Sequence, residues 1–197
     1  MMLPMHTTLH TTTLARVLVA LALLAFGSGA GQVRVSRFDP EHPPRAGDEG
    51  VFYGPLVRVK DGDSLIAKVQ GVAMEFRLAD IDAPELDQPY GRKAKQELVA
   101  LAAGRQLVLM PIATDRYGRT VAHVWAGDTY LNREQVKRGA AWFYAEPARD
   151  STLHDVEQEA RKAQRGLWAL PSKERMEPQA WRNLKSRRQS DSAESSQ

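Results

Sequence analysis

The stretch Leu56-Val57-Arg58-Val59-Lys60-Asp61-Gly62-Asp63-Ser64-Leu65-Ile66-Ala67-Lys68-Val69-Gln70-Gly71-Val72-Ala73-Met74-Glu75-Phe76-Arg77-Leu78-Ala79-Asp80-Ile81-Asp82-Ala83-Pro84-Glu85 decides the fold. It holds three short β-type runs, Leu56 to Lys60, Ser64 to Gln70 and Ala73 to Ala79, parted by Asp61-Gly62 and Gly71. Asp-Gly and a lone Gly between apolar runs supply the backbone freedom that tight turns need, so two hairpins and a three-stranded meander are expected. In the third run Met74, Phe76 and Leu78 share one face while Glu75 and Arg77 share the other, the alternation of a half-buried strand. Arg77 is thereby directed away from the core. A turn centred near Gly71 and Val72 sets Asp63 across from about Asp80, so Asp82 and Glu85 leave the sheet at the end where Asp63 enters it. Arg77 lies about three residues back along the strand, roughly 10 Å, and its long side chain reaches the same rim.

Beyond this stretch, residues 91 to 103 read as a helix: Ala94, Leu98 and Leu101 recur at helical spacing and Gly104 stops it. Gln106 to Ile112 and Thr120 to Trp125 form a further strand pair joined by residues 113 to 119. Two more helices fit Tyr130 to Arg138 and Leu153 to Gln164, the latter with Thr152 as a cap. The fold class expected is α+β, mainly β: a five-stranded Greek-key barrel of the OB type with three helices, whose open face often binds oligonucleotides. A fold fixes no activity by itself.

With 197 residues the chain builds one ordinary core with appendages. Residues 51 to 171 make the domain. Leu14 to Phe26 is a stretch of 13 residues, apolar except for Arg16, followed by Gly27-Ser28-Gly29-Ala30. The run is shorter than the roughly 20 residues that span a bilayer, so residues 1 to 30 read as a signal peptide cleaved after Ala30. Export to the periplasm or medium follows, with an uncleaved membrane anchor as the alternative. Residues 31 to 50, rich in Pro and Gly, read as a linker. Residues 172 to 197 read as a charged tail. In it Trp181, Arg182, Lys185, Arg187 and Arg188 belong to a solvated charged helix, with a grip on substrate or an anionic envelope surface as the alternative. The Ser-rich end, from Ser186, is disordered for want of apolar content. The chain has no cysteine, which excludes disulfides, zinc-thiolate sites and thiol redox chemistry. The net charge of +3 suggests a polyanion partner, but residues 31 to 171 hold 20 basic and 20 acidic residues. A broad basic footprint is therefore absent, and any polyanion must be gripped locally.

Each chemical motif alone reads as a turn: Lys60 to Ser64, the loop from Ala79 to Glu85, and Thr114-Asp115-Arg116-Tyr117-Gly118-Arg119-Thr120. Together they say more. Asp63, Asp82 and Glu85 at one rim repel unless a cation sits among them, and oxygen ligands without thiols or a histidine pair favour calcium over zinc. Arginine beside an exposed aromatic suits phosphate and base recognition, through a guanidinium fork and a ring.

The ordered set Asp61-Gly62-Asp63, Phe76-Arg77-Leu78, Ile81-Asp82-Ala83-Pro84-Glu85, Gln88-Pro89-Tyr90-Gly91, Asp115-Arg116-Tyr117-Gly118-Arg119 and Gly166-Leu167-Trp168 closely resembles the staphylococcal (micrococcal) nuclease family, over about residues 54 to 170. The resemblance implies a Ca²⁺-dependent endonuclease that acts on DNA and RNA, prefers single or denatured strands, and leaves 3′-phosphate ends. It implies a monomer with no obligate protein partner. By motif, Asp63, Asp82 and the backbone carbonyl of Ala83 match the metal ligands. Glu85 matches the residue that orients or activates water, and Arg77 and Arg119 match the pair that grips the phosphate. Arg116, Tyr117 and Tyr144 match nucleotide-binding positions. Ala83 stands where the staphylococcal enzyme has threonine, which spares a ligand acting through its carbonyl, and the loop after Glu85 is shorter. A non-catalytic nucleic-acid-binding barrel and a structural calcium module are the rival readings. Retention of all five charged residues argues against the first, and the second leaves Arg77 and Arg119 unexplained.

Overall fold

A computed structural model describes residues 38–45, 47–144 and 150–194. The segment read as a signal peptide lies outside them, as does part of the linker. Among the described residues no helix is long and apolar enough to cross a membrane. In chain order the elements are β1 (Phe52–Val59), β2 (Ser64–Val69), β3 (Val72–Leu78), β4 (Ile81–Asp82), α1 (Gly91–Ala102), β5 (Gln106–Thr114), β6 (Thr120–Ala126) and β7 (Thr129–Tyr130). There follow α2 (Leu131–Lys137), β8 (Trp142–Phe143), α3 (Thr152–Lys162), two single 3₁₀ turns and α4 (Pro178–Glu194).

The sheet runs β3-β2-β1-β5-β6 and closes on itself where β3 pairs with β6 in parallel, Phe76 against Thr120 and Leu78 against Ala122. This is the five-stranded mixed barrel expected of the OB type. Closure removes both free edges and turns the alternating face of β3 inward. Leu65, Phe76, Leu78, Leu107 and Leu109 fill the barrel, and Leu98, Leu131 and Leu153 bring α1, α2 and α3 onto it, all without solvent exposure.

Thr152 is the first residue of α3 and does not cap it; its hydroxyl donates to Asp150. Three further details differ from the sequence reading. The β2–β3 hairpin turns at Gln70-Gly71, with Val72 already paired to Val69. Both turn residues have positive φ, 49° and 85°, which a two-residue turn matched to the strand twist requires. Asp63 therefore lies opposite Leu78 instead of Asp80, and the Leu78 N–H donates to its carbonyl at 2.8 Å. Secondly, an α-helix runs through Pro178–Glu194, across the Ser-rich end read as disordered. Pro178 opens it with a preset φ, and i to i+4 contacts such as Gln179 Nε2 to Asn183 Oδ1 extend along it. Thirdly, part of the stretch read as a linker packs on the domain: Phe38 stacks on His123 with centroids 3.9 Å apart, and the Tyr53 hydroxyl donates to the Pro44 carbonyl.

Two buried polar side chains of α2 join the site to the barrel. Asn132 accepts from the Val124 N–H and donates to the Ala79 and Ala122 carbonyls. Gln135 donates to the Gly62 carbonyl at 2.6 Å and the Ala94 carbonyl at 3.1 Å, fixing the β1–β2 turn against α1.

Candidate active site

The β1–β2 turn, the end of β3 and the β4 loop meet at one rim of the barrel. The turn fits there because Gly62 has no Cβ: one would stand 2.6 Å from the Ala83 Cβ and 2.8 Å from the Ala94 Cβ. Asp63 enters β2 from this turn, and β3 carries Arg77 on its outer face opposite Ser64. That outer face is a cleft wall and not open solvent, since the Arg77 side chain is only 20% exposed. Its fork spans both aspartates, Nη1 to Asp63 Oδ1 at 2.7 Å and Nη2 to Asp82 Oδ1 at 2.8 Å, with the Ile81 carbonyl as a further acceptor. Asp63 also accepts from the Ser64 hydroxyl and the Ala83 N–H.

Burial lowers the affinity of Arg77 for its proton, but Asp63 and Asp82 outweigh that and carry it above the ordinary arginine value. Burial pushes the Asp63 carboxyl above the usual carboxylate range; Arg77 opposes this, Asp61 adds to it, and the two other donors offset only part of it. Three donors directed at its two oxygens match an ionised carboxylate, so the Arg77 bridge is a pair of charged hydrogen bonds.

Glu85 is placed by its backbone. Its N–H donates to the Gln88 side-chain oxygen, the Gln88 N–H returns to the Glu85 carbonyl at 2.9 Å, and Gln88 is buried. Gly91 allows this loop to close, because a Cβ there would fall 1.7 Å from the Glu85 carbonyl oxygen.

The β5–β6 turn supplies the opposite wall. Asp115 organises it: Oδ1 accepts from the Tyr117 and Arg119 N–H groups, and Oδ2 accepts from Arg119 Nε at 2.7 Å. Burial raises the Asp115 carboxyl, and the hydrogen bonds from Arg119 and Tyr117 overcome it, so its pKa lies below the usual carboxylate value. Arg119 is thus held through Nε. Arg116 and Arg119 both lie against the Tyr117 ring, at 4.9 and 5.5 Å from its centroid. Tyr144 follows β8, which pairs with β4 so that Trp142 faces Asp82.

One cleft of about 600 Å³ is lined by Asp63, Arg77, Asp82, Ala83, Glu85, Arg116, Tyr117, Arg119 and Tyr144. Every site residue proposed from sequence therefore borders the same space. Lys60, Asp61, Glu75, Asp115 and Arg182 line it too. Among the described residues no three His, Cys, Asp or Glu side chains form a ready-made metal cage. The oxygen-only acids around Asp63 and Asp82 nevertheless suit a hard divalent cation, completed by a backbone carbonyl and water.

Three groups escaped the sequence reading. Asp115 stood inside a quoted motif, and a carboxylate four residues before an arginine was signal enough. Gln88 likewise stood in a motif without a role. Arg182, read from sequence as part of a solvated or substrate-gripping tail, instead reaches Asp82 from 100 residues away, with Nη2 to Oδ2 at 2.9 Å and Nη1 to Glu85 Oε1 at 2.7 Å, a contact that no sequence pattern announces.

Residues 75–170 match the family model described as "Staphylococcal nuclease homologue". The chain is 38% identical to a protein of Shigella flexneri named micrococcal nuclease, over 66% of this chain and 80% of that one. It is 37% identical to an uncharacterised endonuclease of Escherichia coli, over 68% of this chain and 87% of that one. A 36% match to Escherichia coli protein ParB covers 66% and 78%. With the barrel, the shared cleft and these matches together, the chain belongs to the staphylococcal nuclease family and is a nuclease.

Proposed function

We propose that this chain is an exported, Ca²⁺-dependent endonuclease that hydrolyses DNA and RNA, favours single or denatured strands and leaves 3′-phosphate ends. The observation that supports this best is the single cleft in which the acid pair, both arginines and both tyrosines meet. Asp63 and Asp82, with the Ala83 carbonyl, would hold the cation, whose contribution when bound is to polarise a phosphoryl oxygen and balance its charge.

The chain's own side chains do the rest by placement. Arg119, anchored at Nε by Asp115, offers its Nη edge to two phosphate oxygens. Arg77 lies across the cleft with its charge secured by the aspartates, and supplies the second cation for the equatorial oxygens. Glu85 orients the attacking water. As the water oxygen bonds to phosphorus the 5′ oxygen leaves, taking a proton, and the phosphate stays on the 3′ side. Glu85 lies on a loop fixed by Gln88, a placement that suits the orientation of water. Tyr117 and Tyr144, both exposed, give bases a stacking surface that tolerates any sequence.

Purified protein should degrade denatured DNA with Ca²⁺ and stop with a chelator. Arg119→Ala should lower turnover about 10²- to 10³-fold while thermal melting shows a folded protein. Retained cleavage in that variant would remove Arg119 from the mechanism. Fragments should refuse polymerase extension until treated with phosphatase; direct extension would rule out 3′-phosphate ends. For export, a mature N-terminus at Gly31 is the expected product.

A further inference from the structure

The fork of Arg182 is bound to the acids assigned to the cation. Nη2 meets Asp82 Oδ2 at 2.9 Å, and Nη1 meets Glu85 Oε1 at 2.7 Å and Asp82 Oδ1 at 3.3 Å. Arg77 holds the other side of Asp82 Oδ1. Both oxygens of Asp82 are thus engaged by guanidinium groups, and an ion that takes Asp82 as ligand competes with them.

Position decides which fork yields. A guanidinium bonded to a ligand oxygen and an arriving cation repel each other, and the fork held less firmly gives way. Arg77 is fixed on a barrel strand and is 20% exposed, whereas Arg182 is 36% exposed on a helix outside the barrel.

That helix is attached in a way that can be undone. Past Pro178 none of its described side chains is buried. Its ties to the domain are polar: Trp181 Nε1 and Lys185 Nζ both reach Asp87, and just before the helix the Met176 carbonyl accepts from Gln88. Ties of this kind are individually weak and salt-sensitive.

We propose that α4 is a latch: Arg182 competes with the divalent cation for Asp82, so that cation binding releases the helix and the docked helix lowers cation affinity. This rests on the reading of Asp82 as a cation ligand, which a separate variant tests.

Ca²⁺ titration by calorimetry, without nucleic acid, should show Arg182→Gln binding about two- to fivefold more tightly than the wild type, the scale of one partly exposed ion pair. Lys185→Gln should move affinity in the same direction by less. In the wild type Ca²⁺ should shift Trp181 emission to the red, a change absent from Trp181→Phe. Equal or weaker Ca²⁺ binding by Arg182→Gln overturns the latch, as does Trp181 emission that ignores Ca²⁺. Unchanged affinity with reduced cleavage at saturating Ca²⁺ would make Arg182 a phosphate ligand instead and also overturn it. Asp82→Asn should lose Ca²⁺ binding; if it does not, the underlying site assignment fails, whereas its loss together with an unaltered Arg182→Gln fails the latch alone.

Discussion

Two buried aspartates side by side are tolerable in this chain because Arg77 bridges them at 2.7 and 2.8 Å. Removing the bridge leaves the nearly buried Asp63 without a cationic partner and Asp82 held only by Arg182. Arg77→Ala should therefore lose about 3 kcal/mol of stability in chelator, and Ca²⁺ should restore part of it by taking over the neutralising role. Urea unfolding with and without Ca²⁺ checks this; a variant as stable as wild type in chelator would show that the bridge is dispensable. Asp115 permits a finer test. Asp115→Asn keeps the oxygen that accepts from the Tyr117 and Arg119 N–H groups and loses the ion pair to Arg119 Nε. The turn should survive, stability should fall by no more than about 1 kcal/mol, and kcat/KM should fall about tenfold as Arg119 loosens. Because the folded carboxyl titrates below its unfolded value, its stabilisation is present above about pH 4 and disappears as pH falls through the depressed value. The stability gap between wild type and variant should be flat above about pH 5 and close below about pH 4.

The elements around the site show what could be read from the chain and what could not. Strand alternation placed Arg77 opposite Phe76 and Leu78 in face, and the structure keeps that assignment although the hairpin turn sits at Gln70-Gly71 instead of Gly71-Val72. Moving the turn by one position shifts pairing by two residues, an even number, so every side chain stays on its own face. The turn was ambiguous because Val72 is a good strand residue beside a glycine. The rim loops were legible through their Asp, Gly and Arg content, since turns and charges leave local marks. The bonds of Asn132 and Gln135 leave none: a polar residue on a short helix reads as a solvated one until the fold brings the Ala79 and Gly62 carbonyls to it. The glycines separate close packing from backbone freedom. At Gly91 a Cβ would strike the Glu85 carbonyl, while at Gly71 it would meet open space but carry a φ of 85°. Gly91→Ala should displace the Glu85 loop and lower kcat/KM at least tenfold, with a stability loss of about 1 to 3 kcal/mol. Gly71→Ala should cost about 1 to 2 kcal/mol and leave kcat/KM unchanged. Melting curves alongside kinetics separate the two, and equal kinetic effects would refute the placement of Glu85 by close packing.

Over the whole molecule, charge and site pull apart: the chain carries +3, while residues 31 to 171 balance at 20 basic and 20 acidic. Long-range steering by a basic surface is weak in such a domain, so under the proposed function substrate affinity is expected to come from Arg116, Arg119, Arg77 and the cation within one cleft. Of these arginines, Arg77 is already neutralised by two aspartates and Arg119 in part by Asp115, which limits how many counterions a bound strand can release. Single-stranded binding releases about 0.7 of a counterion per phosphate neutralised, so two to three contacts give a log–log salt slope of about −2, far from the slope near −10 of an extended interface. Arg116 lies against the exposed Tyr117 ring without a carboxylate partner among the described residues, so it should contribute one full contact. Arg116→Gln should flatten the slope by about 0.7 and weaken binding alike for all sequences, because a phosphate contact carries no base information. The measurement is binding of a labelled oligonucleotide to the Glu85→Gln variant at fixed Ca²⁺ across salt concentrations. A slope steeper than about −5 would mean that surfaces outside the cleft hold the strand, and the neutral barrel would then not be the whole of the nucleic-acid interface.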